Sequence, residues 1–178
     1  MEIRPVGPAD LPQIQAIYAH HVATGYASFE EEPPDLAEMT KRCEALLARG
    51  LPYLVAAEPD GKILGYAYAG PFRPRRAYRF SVENSIYTRP DSAGKGIGRA
   101  LLTELIKAAS AWGARQMIAV IGDSGNAGSI GLHKALGFQP IGVIRSVGFK
   151  HGRWLDSVLM QLPLGDGDAS PPQQEVPL

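Results

Sequence analysis

Apolar residues recur every three or four positions in two stretches near the start of the chain, 9–22 and 35–47. This spacing predicts two amphipathic helices. Asp10 and Gln13 have the spacing of a capping box at the start of the first helix, and Asp35 begins the same pattern in the second. We therefore expect both helices to begin just after an aspartate.

Runs rich in branched and aromatic residues alternate with turn residues along the rest of the chain. They predict β-strands at 2–6, 53–58, 63–70, 80–88, 116–122, 138–149 and 154–162. Helical patterns lie between them, one that follows a glycine cluster and ends at Gly113 and one at 126–136. This order predicts an α+β fold in which a mixed, mostly antiparallel sheet of about seven strands is flanked by about four helices, with one parallel crossover.

The chain is expected to form a single domain over residues 1–164, and Trp154 is assigned to its core. The segment 165–178 is rich in glycine, proline and polar residues. Because it has too little apolar content to order itself, we expect a flexible tail there.

Charge and composition narrow the class of protein. The 178 residues contain 18 Lys and Arg and 18 Asp and Glu, so the net charge is zero and no excess positive field favours a nucleic acid or a membrane surface. The single cysteine excludes an intrachain disulfide. The first residues lack the pattern of a signal peptide, and no run approaches the ~18 apolar residues of a membrane span. We expect a cytoplasmic protein.

Three glycines, Gly94, Gly96 and Gly98, alternate at the start of the helical pattern that ends at Gly113. Glycine weakens a fixed backbone by roughly 0.5 to 1 kcal/mol, so a cluster here needs a compensating reason. Backbone amides without neighbouring Cβ atoms, at the positive end of a helix, form a concave donor set for phosphate groups. The pattern therefore predicts a phosphate-binding turn.

Two common phosphate motifs fit this turn poorly. A nucleotide P-loop needs Ser or Thr after its Gly-Lys, but Lys95 is followed by Gly96. The dinucleotide fingerprint needs a third glycine where Arg99 stands, although Asp123 after the next strand has the place of a ribose-binding acid. A dinucleotide-dependent oxidoreductase and a turn without a ligand remain alternatives.

The segments AGKGIGRALL and NAGSIGLHKALGF resemble the two acetyl-CoA motifs of the GNAT acetyltransferases. Within that superfamily, GPFRPRRAY, VENSIYT and FKHGRWLDSVLMQL resemble the phosphinothricin N-acetyltransferase group, which acts on phosphinothricin and on methionine sulfoximine or sulfone. The similarity covers residues 2–162. It implies a GNAT fold, acetyl-CoA as co-substrate, no metal, a small amino acid as acceptor, a role in antibiotic or herbicide resistance, and a homodimer.

The resemblance also implies which residues bind the co-substrate: Ile86, Tyr87, Thr88, Lys95, Gly96, Ile97, Gly98, Arg99, Asn126 and Ser129. One departure concerns Ala93, which stands where the family often has Arg or Gln. Phosphate binding is therefore expected to depend more on backbone amides and on Lys95 or Arg99.

For the chemistry, the resemblance implies Glu83 as the base, while it leaves His133 open as acid, base or binding group. The residues expected to read the acceptor are Phe29, Phe72, Arg73, Arg75, Tyr78 and Val82. The segment FKHGRW resembles a family hairpin that lines the cleft or the dimer contact, and the resemblance leaves the roles of its Lys150 and His151 open. A non-catalytic acetyl-CoA-binding module and an acetyltransferase for a different amine are the remaining alternatives.

Overall fold

The computed structural model describes residues 1–92, 94–173 and 175–177 of the chain. Seven strands are found in these residues, and they form one sheet in the order β1-β2-β3-β4-β5-β7-β6. The strands are β1 Glu2–Pro5, β2 Tyr53–Ala57, β3 Ile63–Pro71, β4 Ser81–Thr88, β5 Gln116–Gly122, β6 Gln139–Lys150 and β7 Arg153–Pro163. Only the pair β4–β5 is parallel within this sheet. The predicted α+β fold with one parallel crossover is confirmed.

Four α-helices accompany the sheet in the same described ranges. They are α1 Leu11–Thr24, α2 Leu36–Leu47, α3 Ile97–Trp112 and α4 Ala127–Ala135. Helix α3 makes the crossover between β4 and β5, which explains why the chain can pair these two strands in parallel. Among the residues described, no helix has the length and apolar character needed to cross a membrane.

The core lies on both faces of the sheet. Along β2, Leu54 and Ala56 pack on the side that holds α3, whereas Tyr53, Val55 and Ala57 pack on the side that holds α1 and α2. Because successive strand residues point to opposite faces, a strand that is buried throughout must lie between two layers. The fold is therefore a three-layer arrangement with the sheet in the middle.

The capping box predicted for α1 is wrong. The Asp10 carboxylate accepts two hydrogen bonds from the Arg4 guanidinium, at 2.7 and 2.8 Å, and one from the Gly7 N–H at 2.7 Å. The Gln13 amide instead contacts the turn between β2 and β3, where it accepts from the N–H of Ile63 at 2.9 Å. A charged partner from β1 therefore takes the carboxylate away from the helix.

At α2 the expected cap is present, since the Asp35 carboxylate accepts from the N–H of Glu38 at 2.8 Å. The assignment of Trp154 to the core is wrong. Its side chain is 64% exposed and contacts Phe149 on the neighbouring strand β6, with ring centroids 5.3 Å apart.

The flexibility of the tail stays a prediction. The described part of the tail contacts the domain through Arg115, whose guanidinium donates to the carbonyls of Gly167 and Ser170 at 2.8 and 2.7 Å. Further along, the Glu175 carboxylate lies 3.1 Å from the guanidinium of Arg76.

Candidate active site

The candidate site is the gap that opens where β4 and β5 separate. The two strands pair from Ser81 opposite Gln116 to Asn84 opposite Ala119. Beyond that point β4 continues beside β3 as far as Thr88, and β5 continues beside β7. A cavity of about 880 Å³ occupies the gap, and one side of its wall is backbone that β5 leaves unpaired.

The glycine turn lies at the edge of this cavity. Gly94 and Gly96 have left-handed φ angles of 75° and 77°, and a Cβ atom at either position would meet nothing within 4 Å. Gly98 is different, because a Cβ there would lie 3.3 Å from the side chain of Leu132. Helix α3 begins at Ile97, so its free amides face the space beside the first two glycines. This cradle fits a diphosphate.

The residues predicted for the co-substrate gather here with one exception. The cavity is lined by Ile86, Tyr87, Thr88, Gly96, Ile97, Gly98, Arg99, Asn126 and Ser129. Lys95 is not among the lining residues, and its ammonium donates to the carbonyl of Asp91 at 3.0 Å. Ala93 lies outside the described residues.

Asn126 also has a structural function in this wall. Its side-chain oxygen accepts from the N–H of Ser129 at 3.1 Å and so caps α4, while its amide nitrogen donates to the carbonyl of Gly122 at 3.1 Å. The residue joins the end of β5 to the start of α4. Its place in the cavity is therefore rigidly determined.

Glu83 lines the cavity from β4, one residue before the pairing with β5 ends. The side chain is half-buried, and this burial raises the pKa of its carboxyl group above the ordinary value of 4.5. A carboxylate whose pKa is moved toward neutrality is a better proton acceptor near pH 7 than an exposed one.

His133 reaches the same cavity from α4 but is only 1% exposed. Its Nδ1 lies 2.8 Å from the carbonyl oxygen of Ser129, and its Nε2 lies 3.0 Å from the side-chain oxygen of Asn84. The Ser129 carbonyl oxygen and the Asn84 side-chain oxygen can only accept, so a neutral ring, which carries a single N–H, donates to only one of them. Burial lowers the pKa of the imidazole, so the ring is held in place with a reduced tendency to carry charge.

Asn84 is a site residue that the sequence pattern did not single out. Its amide nitrogen donates to the carbonyl of Ile118 on β5 at 3.3 Å, and the residue is 6% exposed. The available signal was a polar side chain on the same strand face as Val82 and Ile86. His21 was missed as well, and its Nε2 lies 2.7 Å from the carbonyl oxygen of Thr88.

Of the six residues predicted to read the acceptor, Phe29 lines the main cavity. Four others line a second cavity of about 390 Å³ beside the end of α3: Phe72, Arg73, Tyr78 and Val82. Arg75 lines neither cavity and is exposed. In a single chain, the arginine-rich loop and Glu83 therefore line different cavities. The role of the loop residues in binding the acceptor stays a prediction.

Comparison with known proteins decides the family. A model of the acetyltransferase (GNAT) domain matches residues 3–159. The chain belongs to the GNAT acetyltransferase family.

Similar proteins cover almost the whole of this acetyltransferase. It is 59% identical to a phosphinothricin N-acetyltransferase of Alcaligenes faecalis over 96% of this chain and 86% of that relative. It is 46% identical to an L-methionine sulfoximine/L-methionine sulfone acetyltransferase of Pseudomonas aeruginosa, over 95% and 98% of the two chains. The resemblance stated from the sequence motifs is confirmed.

A solved structure shows the same fold. The crystal structure of a GNAT superfamily phosphinothricin acetyltransferase from Sinorhizobium meliloti in complex with AcCoA has a TM-score of 0.95 and 50% identity, and the match covers 98% of this acetyltransferase and 94% of that chain. The prediction of an acetyltransferase rather than an oxidoreductase is thereby confirmed.

Proposed function

We propose that this acetyltransferase moves the acetyl group of acetyl-CoA to the α-amino group of a small amino acid. Phosphinothricin, methionine sulfoximine and methionine sulfone are the proposed acceptors, because similar proteins carry these names. The observation that carries the proposal is a single cavity that joins an open glycine cradle to the half-buried carboxylate of Glu83.

The proposed co-substrate site has two parts. The amides at 94–98 and the start of α3 hold the diphosphate, with Arg99 beside them as a cation. The unpaired edge of β4 at 86–88 offers backbone donors and acceptors to an extended amide chain, as a strand does to a neighbour. Acetyl-CoA supplies a thioester carbonyl, which an amine attacks with departure of a thiolate.

Glu83 is the proposed base. An α-amino group has an ordinary pKa near 8, so at neutral pH only about one unit separates it from deprotonation, equivalent to roughly 1.4 kcal/mol. A carboxylate with a raised pKa can accept this proton directly or through one water molecule. No stronger base is required.

His133 is proposed to hold the wall of the site rather than to titrate freely. Both ring nitrogens lie against protein oxygens, and the ring packs edge-on against Phe138 with centroids 4.8 Å apart. A proton that passes from this ring toward the leaving group would have to leave through the contact with Asn84. The role as acid or base therefore depends on movement of that amide.

We also propose a homodimer that forms through the β6 face. This strand leaves a row of large apolar side chains open to solvent together with the tryptophan beside it: Ile141, Val143, Ile144, Val147, Phe149 and Trp154. Exposed apolar rows of this length on a strand at the edge of a sheet favour association. Two of them, Ile144 and Val147, also line the main cavity, so a second copy seated there would cover its rim.

Light scattering after gel filtration tests the dimer. The native protein is expected to elute with the mass of two chains, and Val143→Glu with the mass of one. Exposed Lys107→Glu on α3 serves as a control that stays dimeric. A native protein with the mass of one chain would refute the dimer.

A substrate panel that reads released CoA thiol tests the activity. Phosphinothricin, methionine sulfoximine, methionine sulfone and the ordinary amino acids are compared at equal concentration. We expect turnover with the first three. If calorimetry shows binding of acetyl-CoA but no amine is turned over, the protein is a non-catalytic binding module. If only a different amine is turned over, the proposed class of acceptor is wrong.

The proposed place of action is the cytoplasm, where acetyl-CoA is available, and the proposed benefit to the cell is resistance to toxic amino acid analogues. Growth of a sensitive host on phosphinothricin with and without this acetyltransferase tests that benefit. Equal growth inhibition in both cultures would contradict it.

A further inference from the structure

A buried lysine fastens the loop between α1 and α2 onto the hairpin of β6 and β7. Lys150, the last residue of β6, is 1% exposed. Its ammonium donates to the carbonyl oxygens of Gly25 at 2.9 Å and Ser28 at 2.8 Å. These two acceptors lie more than a hundred positions away in the chain. The contact therefore ties together two segments that the chain order keeps apart.

The direct hydrogen-bond partners of this cation are carbonyl groups, and a buried ammonium is costly unless its protons are bound. Two of its three donors have fixed acceptors, and the carboxylates of Glu30 and Glu31 lie close enough to favour the charge. Burial nevertheless lowers the pKa of the ammonium. The ammonium of Lys150 thus binds the carbonyl groups of the loop, whereas a lysine on the surface would be solvated by water.

The same loop is fitted to two glycines through Phe29. A Cβ atom added at Gly148 would lie 2.5 Å from the Phe29 ring, and one added at Gly122 would lie 2.6 Å from it. Both distances are shorter than real Cβ contacts allow. Glycine at these two positions leaves room for the Phe29 ring, and at Gly122 also for the carbonyl oxygen of Tyr26, which would lie 2.6 Å from the added atom.

This fastened loop forms one wall of the main cavity. Ala27, Ser28 and Phe29 line it together with Glu83, while Phe29 is 39% exposed and so presents part of its ring to the open space. The glycine cradle at 94–98 belongs to a different segment of the wall. A shift of the loop would therefore change the space beside the base and leave the phosphate cradle unchanged.

We propose that Lys150 is a positioning residue for the acceptor. Its two hydrogen bonds hold the loop, and the space left by Gly148 accommodates the Phe29 ring, so that the ring stays against the cavity. The position of this ring determines which amino acid side chains fit beside Glu83. This inference rests on the proposed function. It assigns a role in acceptor selection to a residue that touches neither the reacting atoms nor the proposed co-substrate.

The first experiment replaces Lys150 by methionine, which keeps the length of the side chain and removes the donors. Lys107→Met is the matched control, because Lys107 is exposed on α3. For Lys150→Met we expect the KM for the acceptor to rise roughly tenfold while the KM for acetyl-CoA changes by less than about twofold. The control should leave both values unchanged.

Hydrogen exchange of the same variants gives a readout that does not depend on turnover. Amides in the segment 25–30 should exchange at least about tenfold faster in Lys150→Met than in the native protein, while those of α3 keep their protection. If no acceptor is turned over even by the native protein, the proposed function fails, yet this exchange still shows whether Lys150 holds the loop.

A double-mutant cycle covers the case in which Lys150→Met does not fold. Gly148→Ala should raise the acceptor KM roughly tenfold when Phe29 is present, because the new methyl group displaces the ring. In a Phe29→Ala background the same methyl group has room, so we expect Gly148→Ala to change the acceptor KM by less than about twofold. Equal effects of Gly148→Ala in both backgrounds would overturn the proposal, as would faster exchange of the loop without a change in acceptor KM.

Discussion

Replacement of Gly96 by alanine separates the cost of a strained backbone from the cost of a lost ligand contact. Gly96 has a φ of 77°, and a Cβ atom there meets no protein atom within 4 Å. Gly61, in the turn between β2 and β3, has a φ of 85° and is equally open. Both glycines are exposed. The two positions therefore form a matched pair that differs in whether the cavity lies beside them.

The expected loss of stability is the same for Gly96→Ala and Gly61→Ala. The left-handed conformation costs an L-residue about 1–2 kcal/mol, and for a domain of this size each kcal/mol lowers the Tm by about 2–4 °C. Both variants should therefore melt about 2–8 °C below the native protein. Differential scanning calorimetry without ligand measures this shift.

The expected effect on acetyl-CoA differs between the two variants. In Gly96→Ala the new methyl group stands in the space that we assign to the diphosphate, so the Kd measured by calorimetry should rise at least about tenfold, or about 1.4 kcal/mol. In Gly61→Ala the Kd should stay within about twofold of the native value. If Gly96→Ala binds acetyl-CoA as tightly as Gly61→Ala does, the glycine turn does not hold the diphosphate.

Three further predictions concern single side chains. Glu83→Gln should lower kcat by about 10²–10⁴-fold with an unchanged Kd for acetyl-CoA. Because burial raises the pKa of Glu83, the kcat/KM of the native enzyme should fall as the pH drops through a value above 4.5. If the variant shows the same fall at low pH, Glu83 is not the group that causes it. Tyr66 is fully buried, and its hydroxyl has no hydrogen-bond partner within the described parts of the chain, so Tyr66→Phe should leave the Tm equal or higher, and a drop of several degrees would point to a hidden partner. The hydrogen bonds from Arg4 lower the pKa of Asp10 in the folded protein. The carboxylate therefore stabilises the fold at a pH above its ordinary pKa of 3.8, and this stabilisation is lost as the pH falls through the lower pKa of the folded state. Urea titrations should find Asp10→Asn less stable than the native protein at pH 7, and the difference should shrink in acid.

The sequence predicted the strands and helices well because their signals are local. Alternation along β4, the turn residues between β2 and β3, and the glycines that end α2 and α3 all act within a few residues. The capping box at Asp10 failed for the opposite reason. Arg4 competes for the carboxylate from another element, and no local pattern reports that competition.

The parts of the site that lie within one continuous segment of sequence were predictable. The parts that depend on contacts between distant segments were not. The glycine turn was predicted from its local pattern and Glu83 from the family resemblance of VENSIYT, and both line the cavity. The place of Arg73 and Tyr78 was not, since the sequence does not say on which side of the sheet a loop between β3 and β4 lies. Lys150 was left undecided because its acceptors are carbonyl groups, which every residue carries.

The end of the pairing between β4 and β5 explains why these features coincide. The ladder stops at Asn84, so Glu83 is held rigidly by two neighbouring strands while the residues after Asn84 turn an open edge toward the cavity. Successive side chains of a strand point to opposite faces. A slip of β4 by one residue would thus turn the carboxylate toward α3, where Val82 now packs, and would bring Val82 or Asn84 to the place of the proposed base. The register of β4 therefore determines both the burial that raises the pKa of Glu83 and the position of the gap between β4 and β5 beside it.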